Sequence, residues 1–106
     1  VYKRQMSRIL DLAPDVDGVF AYNDLMAIGA LRVLAERGLS VPDDIAVVGF
    51  DDISVSAMLH PALTTVRLDR PRIGREAVDQ IVALTNGESV VPETLIPVEL
   101  IVRESA

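Results

Sequence analysis

Two continuous apolar runs, separated by a stretch long enough for one helix, constrain the fold of this chain most strongly. The runs are Gly18–Tyr22 (GVFAY) and Ile45–Phe50 (IAVVGF). Strands that are apolar on both faces are typical of parallel sheets, because helices cover such sheets from both sides. A helix from Leu25 to about Arg37 fits between the runs, since Gly38 is the residue type that commonly ends a helix. The sequence therefore predicts an α/β fold with an open parallel sheet flanked by helices.

The remainder of the chain continues this alternation of helices and strands. The predicted helices are Lys3–Leu12, the short Ser54–Leu59, and one that begins after Asp69 or Arg70 and runs to about Asn86. The predicted strands are Thr64–Leu68 and two short strands between Thr94 and Val102, which Pro97 separates. The last helix carries an apolar stripe made of Ile73, Ala77, Ile81 and Leu84.

Two polar pairs directly follow the two apolar runs. Asn23-Asp24 come after the first run and Asp51-Asp52 after the second, whereas Asp43-Asp44 precede the second run. Ligands of open parallel sheets bind beyond the carboxyl ends of the strands. We therefore expect the first two pairs to share one rim of the sheet and Asp43-Asp44 to lie at the opposite edge.

The chemistry of this rim suits a small polar ligand. An ionised carboxylate accepts up to four hydrogen bonds, and an amide both donates and accepts. A sugar ring or a nucleobase offers matching donors and acceptors. The alternative is that these side chains only cap the helices that follow them. For Asp24 the capping interpretation is favoured, and for Asp51 both interpretations stay open.

Composition and missing motifs argue against other functions. The formal charge of -6 and a sequence pI of about 4.6 disfavour nucleic-acid binding by this part of the protein. The chain has no cysteine, no glycine-rich phosphate loop, no nucleophile elbow and no apolar run long enough to span a membrane. His60 precedes a proline and is interpreted as structural, and the only lysine, Lys3, disfavours a magnesium-dependent phosphoacceptor site. We expect no catalytic residue, no metal ion and no cofactor.

Four segments together resemble one family, the LacI/GalR bacterial transcriptional regulators. They cover nearly the whole chain in the family's order. The segments are Phe20–Ala30 (FAYNDLMAIGA), Val41–Asp52 (VPDDIAVVGFDD), Pro61–Val66 with the later Ile73, Gly74 and Ala77, and Leu100–Ser105 (LIVRES).

The resemblance implies a type I periplasmic-binding-protein-like fold, in which two α/β subdomains surround an effector cleft. It implies that residues 1–68 are part of the C-terminal subdomain and that residues 69–98 pack with an N-terminal subdomain missing from this chain. Residues 99–106 would then belong to the C-terminal subdomain again. The chain opens with Val1 rather than Met, so we expect a preceding segment in the whole protein. An N-terminal helix-turn-helix in that segment would bind operator DNA as a homodimer in the cytoplasm.

The resemblance also implies which positions of this sequence correspond to the family's site residues. Asp51 matches the aspartate that contacts the effector, Asn23 its polar partner, and Phe50 an aromatic or apolar position close to the pocket. Leu68 and Arg70 fall at effector-site positions where other members often use glutamine and an aromatic residue or proline, so the class of effector stays open between a sugar and a nucleobase-like molecule.

A second set of matching positions concerns the dimer interface. The resemblance places Ile28, Met58 and Leu59 there. The helix from Leu25 to Arg37 is apolar on most of its circumference, which independently favours a second contact for this helix.

Two other functions remain as alternatives. A periplasmic sugar-binding protein of the same fold, serving transport or chemotaxis, would carry a secretion signal in place of the helix-turn-helix. An enzyme of the receiver or sugar-processing type is the third hypothesis.

Overall fold

The computed structural model describes the backbone of residues 2–106 and the side chains from residue 3 onward. Helices and strands alternate along the chain as the sequence predicts. In order, the elements are α1 (Tyr2–Leu12), β1 (Gly18–Phe20), α2 (Asp24–Glu36), β2 (Ala46–Asp51), a 3-10 helix (Ser54–Met58), β3 (Thr64–Leu68), α3 (Arg70–Thr85) and β4 (Val98–Ile101).

The strands form one sheet in the order β1-β2-β3-β4. β1 pairs with β2 and β2 with β3, both in parallel, with Phe20 opposite Val48 and Asp51 opposite Arg67. Parallel neighbouring strands have their carboxyl ends at the same edge of the sheet, so the residues that follow β1 and those that follow β2 lie at one edge. The predicted α/β class with an open parallel sheet is confirmed.

The strand predictions at β1 and at the C-terminal end of the chain need correction. β1 ends at Phe20 rather than Tyr22, although the Ala21 N–H still donates to the Val48 carbonyl at 2.8 Å. The prediction of two strands between Thr94 and Val102 is wrong, because β4 is the single strand in that stretch of the described chain. Proline lacks the N–H that a sheet ladder needs, and β4 begins directly after Pro97.

The chain divides into two compact units. The first contains the residues up to Arg67 together with Leu100–Ala106, and the second is Leu68–Glu99. The core lies in the first unit, where α1 packs on α2 and α2 packs on β2. The buried apolar residues are Met6, Ala21, Ala27, Ala30, Val33, Leu34, Ile45, Val47 and Leu63.

The C-terminal segment of the first unit joins β2 to β3. Ser105 is fully buried, and its hydroxyl donates to the Val47 carbonyl at 2.6 Å and accepts from the Thr64 N–H at 2.9 Å. The Val47 N–H in turn donates to the Ser105 carbonyl at 2.7 Å. Residues that return to the first unit late in the sequence therefore hold its two central strands.

The second unit is built on α3. Asp69 caps this helix by accepting from the Arg72 N–H at 2.9 Å, and Pro71 lies in the first turn, as predicted. The predicted apolar stripe lines one groove of about 420 Å³ together with Thr94 and Ile96. No residue from 68 to 99, all of which the structure describes, is buried.

Candidate functional site

One cavity collects the polar residues that follow β1 and β2. Its volume is about 330 Å³, and it is lined by Phe20, Tyr22, Asn23, Phe50 and Asp51. Asn23 and Asp51 come together because β1 and β2 are parallel neighbours and each residue stands at or just past the carboxyl end of its strand. The expected common rim is present.

Aromatic rings form the apolar part of this cavity. Phe20 and Phe50 meet edge to face, with ring centroids 6.5 Å apart and planes at 82°. Phe20 and Tyr22 are 65% and 81% exposed, which is unusual for large apolar side chains. Sequence analysis missed both residues. Phe20 and Tyr22 are two positions apart just before Asn23, and this spacing, which puts side chains on the same face of extended backbone, could have indicated them.

Asn23 caps α2. Its side-chain oxygen accepts from the Met26 N–H at 2.9 Å, and its backbone is extended, as a capping residue requires. The cap fixes the rotamer of Asn23 and leaves the side-chain NH2 group as a hydrogen-bond donor for the cavity. Capping and ligand binding are therefore compatible at this residue.

Asp24 does not cap the helix, and the capping interpretation favoured for it is wrong. This residue is fully buried, and its carboxyl group accepts three hydrogen bonds. Oδ2 accepts from the Ile53 N–H at 2.9 Å and from the Ser56 hydroxyl at 2.6 Å, and Oδ1 accepts from the Thr65 hydroxyl at 2.5 Å. Asp24 thus fastens α2 to the loop after β2, to the 3-10 helix and to β3.

Gly49 makes room for this buried carboxyl group. A Cβ atom at position 49 would lie 2.2 Å from Asp24 Oδ1 and 3.0 Å from Leu63 Cδ2. Both distances are shorter than van der Waals contact allows, so β2 requires glycine where it passes Asp24.

The backbone adopts an uncommon conformation at the last residue of β2 and the residue that follows it. Asp51 has φ 117° and Asp52 has φ 48°, values that residues other than glycine seldom adopt. Such strain persists where surrounding contacts hold it, and it is frequent at binding sites. Asp51 is not the cap of the following 3-10 helix, because Ile53 occupies that position without a side-chain capping bond.

Asp52, the next residue, is not part of the cavity lining and forms ion pairs. Its Oδ2 lies 2.6 Å from Arg67 Nε and its Oδ1 lies 2.6 Å from Arg103 Nη2, and its side chain is only 9% exposed. Burial acts to raise the pKa of Asp52, but the hydrogen bonds from Arg103 and Arg67 outweigh it and lower the pKa. Asp52 is therefore held in its ionised form.

The other predicted site residues belong to other elements of the chain. Leu68 ends β3, Arg70 begins α3, and both belong to the second unit. Of the predicted dimer residues, Met58 is 80% exposed, Ile28 is half-buried on α2, and Leu59 is half-buried against the core.

A larger groove of about 640 Å³ lies along β1, the edge strand. Its lining is mainly apolar and comes from α1, β1 and α2, including Met6, Ile9, Val19 and Met26. It lacks both Asn23 and Asp51, so it offers few groups that could orient a polar ligand. We therefore place the candidate site at the smaller cavity.

Residues 2–106 offer neither a metal-binding cluster nor a membrane-spanning helix. Among these residues there is no cluster of three or more His, Asp or Glu side chains arranged to hold a metal ion. None of their helices is long and apolar enough to cross a membrane.

Comparison with known proteins decides the family. A family model described as a periplasmic binding protein-like domain matches residues 1–106. The lactose operon repressor of Rhizobium radiobacter is 44% identical over 103 residues, which are 97% of this chain and 91% of that protein. This chain belongs to the LacI/GalR family of transcriptional regulators. Within that family, the HTH-type transcriptional regulator CelR of Thermobifida fusca is 46% identical over 94% of this chain but only 30% of its own length.

Solved structures of LacI/GalR regulators confirm the fold. A transcriptional regulator CelR–cellobiose complex matches with a TM-score of 0.91 and 43% identity, and a Lac repressor bound to ONPG matches with a TM-score of 0.91 and 35% identity. Each match covers 99% of this chain and 32% of the other chain. The chain corresponds to the C-terminal part of the effector-binding, periplasmic-binding-protein-like domain of these regulators.

Proposed function

We propose that this chain is the effector-sensing part of a LacI/GalR repressor, and that its effector is a sugar. The observation that carries the proposal is the shared cavity of Asn23 and Asp51, next to the exposed rings of Phe20, Tyr22 and Phe50. Two of the similar structures are described as complexes with cellobiose and with lactose. On this proposal, operator DNA is bound by a helix-turn-helix outside this chain.

The cavity supplies the contacts that a sugar needs. Asp51 is the proposed acceptor for sugar hydroxyl groups, and the Asn23 side-chain NH2 is the proposed donor. The aromatic rings offer an apolar surface to the C–H groups of the sugar ring. Few, precisely placed polar groups beside apolar walls are typical of small-molecule sites.

The proposal also assigns the two units of the chain to different subdomains. We assign residues 1–68 and 99–106 to the C-terminal subdomain and residues 69–98 to packing with the N-terminal subdomain, so that Leu68 and Arg70 lie where the chain passes between the two. The observed division at Arg67 and Leu100 supports this assignment. The exposed apolar stripe of α3, with Ile81 60% and Leu84 58% exposed, supports it as well.

Regulation then follows from differential affinity. A sugar that binds one arrangement of the two subdomains more tightly shifts their equilibrium, and only this difference can change operator binding. The proposed place of action is the cytoplasm, where operator DNA lies. No catalytic role or cofactor is proposed, since the similar proteins named above are transcriptional regulators. The alternative of a periplasmic sugar-binding protein is not retained, because it does not account for their match over nearly the whole chain.

The test is the substitution Asp51→Ala in the intact regulator. Titration calorimetry with cellobiose, lactose and adenosine distinguishes sugar from nucleobase-like effectors. Loss of a charge-assisted hydrogen bond is expected to weaken sugar binding by about ten- to a hundredfold, while operator binding without sugar persists. The control is Asp43→Ala, which removes an exposed carboxyl group in the turn before β2. Unchanged sugar affinity in Asp51→Ala would remove Asp51 from the site.

We also propose a homodimer that uses Ile28, Met58 and Leu59. The support is the exposure of apolar side chains around the start of α2 and the 3-10 helix, including Leu25 at 53% and Val55 at 37%. Ile28→Asp is expected to shift the intact regulator towards monomer in sedimentation velocity, because it buries a charge in an apolar contact. Asn86→Asp adds the same charge at an exposed polar position and is the control. Identical sedimentation of the two variants would contradict the interface.

A further inference from the structure

Asp52 binds both segments by which the chain leaves and re-enters the first unit. The chain leaves after Arg67 and returns at Leu100, with Arg103 three residues further on. One carboxylate therefore holds the last residue before the departure and a residue just after the return, with N–O distances of 2.6 Å to each arginine.

Arg103 is fixed on more than one side. Its Nη1 donates to the Leu63 carbonyl at 2.7 Å, and its backbone N–H donates to the Thr64 hydroxyl at 2.9 Å. Its side chain is 16% exposed, whereas that of Arg67 is 50% exposed. The Asp52–Arg103 pair is thus mostly shielded from water, which weakens screening by solvent and salt.

The backbone connects this ion-pair group to the cavity. Asp51 and Asp52 both have positive φ, and the residues on either side are fixed by β2 and by the bond from the Ile53 N–H to Asp24. The Asp52 N–H also lies 3.4 Å from the Thr65 hydroxyl. Asp51 and the carboxylate that pairs with Arg67 and Arg103 therefore belong to adjacent residues of one constrained backbone segment.

We propose that Asp52 is the positioning residue that transmits effector binding at Asp51 to both chain crossings. This inference rests on the proposed function, because it takes Asp51 as the effector contact. Asp52 itself does not touch the effector. Removal of its charge should leave effector binding in place and uncouple it from the operator response.

The experiment compares Asp52→Asn with the unaltered regulator. Cellobiose and lactose are the probes, and two quantities are measured for each: the dissociation constant without DNA, and the ratio of operator affinities with and without sugar. In allosteric proteins, one ligand commonly changes the affinity for a second ligand by five- to 150-fold. For Asp52→Asn we expect sugar affinity within about threefold of the original and an operator response reduced by about tenfold.

Controls separate this role from a general loss of stability. Asp11→Asn removes an exposed ion pair with Arg37 and should change neither quantity. Arg67→Met removes one partner at a half-exposed position, so it should fold even if Asp52→Asn does not, and it should also reduce the operator response.

Each outcome is informative. A normal operator response in Asp52→Asn, or in Arg67→Met if Asp52→Asn does not fold, overturns the inference. A parallel loss of sugar binding also overturns it, because Asp52 would then belong to the binding site. If the unaltered regulator binds neither sugar, the proposed sugar site fails first, and the inference fails with it.

Discussion

The two units of this chain bury their apolar residues to very different degrees. The first unit contains every buried side chain that the structure describes, whereas α3 of the second unit leaves Val78, Ile81, Val82 and Leu84 half or more exposed. Apolar residues recur with helical spacing on both α2 and α3, yet only α2 has buried ones. The difference shows that amphipathic spacing determines a helix, while burial depends on what the rest of the fold supplies.

The polar groups show the same contrast. In the first unit, Asp24 and Asp52 accept bonds from several separate segments. In the second unit, Asp69 only caps its own helix, and Arg72 pairs with Glu76 one turn away at 3.6 Å. Long-range polar contacts therefore hold together the first unit, which carries the proposed effector contacts, whereas local contacts dominate the second.

The largest effect is expected from paired leucine substitutions. Leu34 is fully buried in α2, so Leu34→Ala should lower the free energy of unfolding by about 2–5 kcal/mol. Leu84→Ala in α3 should change it by less than about 0.5 kcal/mol, because Leu84 is 58% exposed. Urea unfolding of the chain measures both. Equal losses of stability in the two variants would contradict the different burial of apolar side chains in the two units.

A second pair of substitutions uses glycine. Gly49→Ala forces a Cβ against Asp24 and Leu63 and should cost about 1–3 kcal/mol of stability. Gly74→Ala meets nothing within 4 Å on α3 and should be neutral or stabilising by up to about 1 kcal/mol. Thermal unfolding followed by circular dichroism checks both. A tolerated Gly49→Ala would mean that β2 does not pass Asp24 as closely as described.

The smallest effect depends on pH. Because the pKa of Asp52 is lowered in the folded chain, its ionisation stabilises the fold above the ordinary value of 3.8, and this contribution is lost as pH falls through the folded pKa. Asp52→Asn should therefore be less stable at neutral pH by about 1–2 kcal/mol, and the gap should close below about pH 4.

The matched control for this pH series is Glu76→Gln in the second unit. It removes an exposed pair at a longer distance, so the stability at neutral pH should change by less than about 0.5 kcal/mol. Urea unfolding at several pH values measures both variants. If the difference in unfolding free energy between the unaltered chain and Asp52→Asn widened in acid, the stabilising role of the ionised Asp52 carboxylate would be contradicted.

Local patterns in the sequence were sufficient for β1, β2 and β3 and for the common rim. The runs before Asn23 and Asp51 are apolar on both faces, and parallel pairing then brings the two residues to one edge. The role of Asn23 as a cap was also foreseeable, since it stands directly before an apolar helix.

Long-range contacts could not be predicted in this way. The donors to Asp24 are 29, 32 and 41 residues away, and the arginines of Asp52 are 15 and 51 residues away. An acidic side chain at the start of a helix has the same local pattern whether it caps the helix or is buried. Only the packed fold distinguishes the two, which is why the capping interpretation of Asp24 was wrong.

A crystal structure of the intact regulator with cellobiose or lactose would show directly whether Asn23 and Asp51 line a sugar site. We expect the sugar in the cavity beyond β1 and β2, with a hydroxyl group within hydrogen-bond distance of the Asp51 carboxylate and another sugar oxygen near the Asn23 side-chain NH2. A sugar bound at another place, with Asp51 and Asn23 in contact only with protein or water, would contradict it.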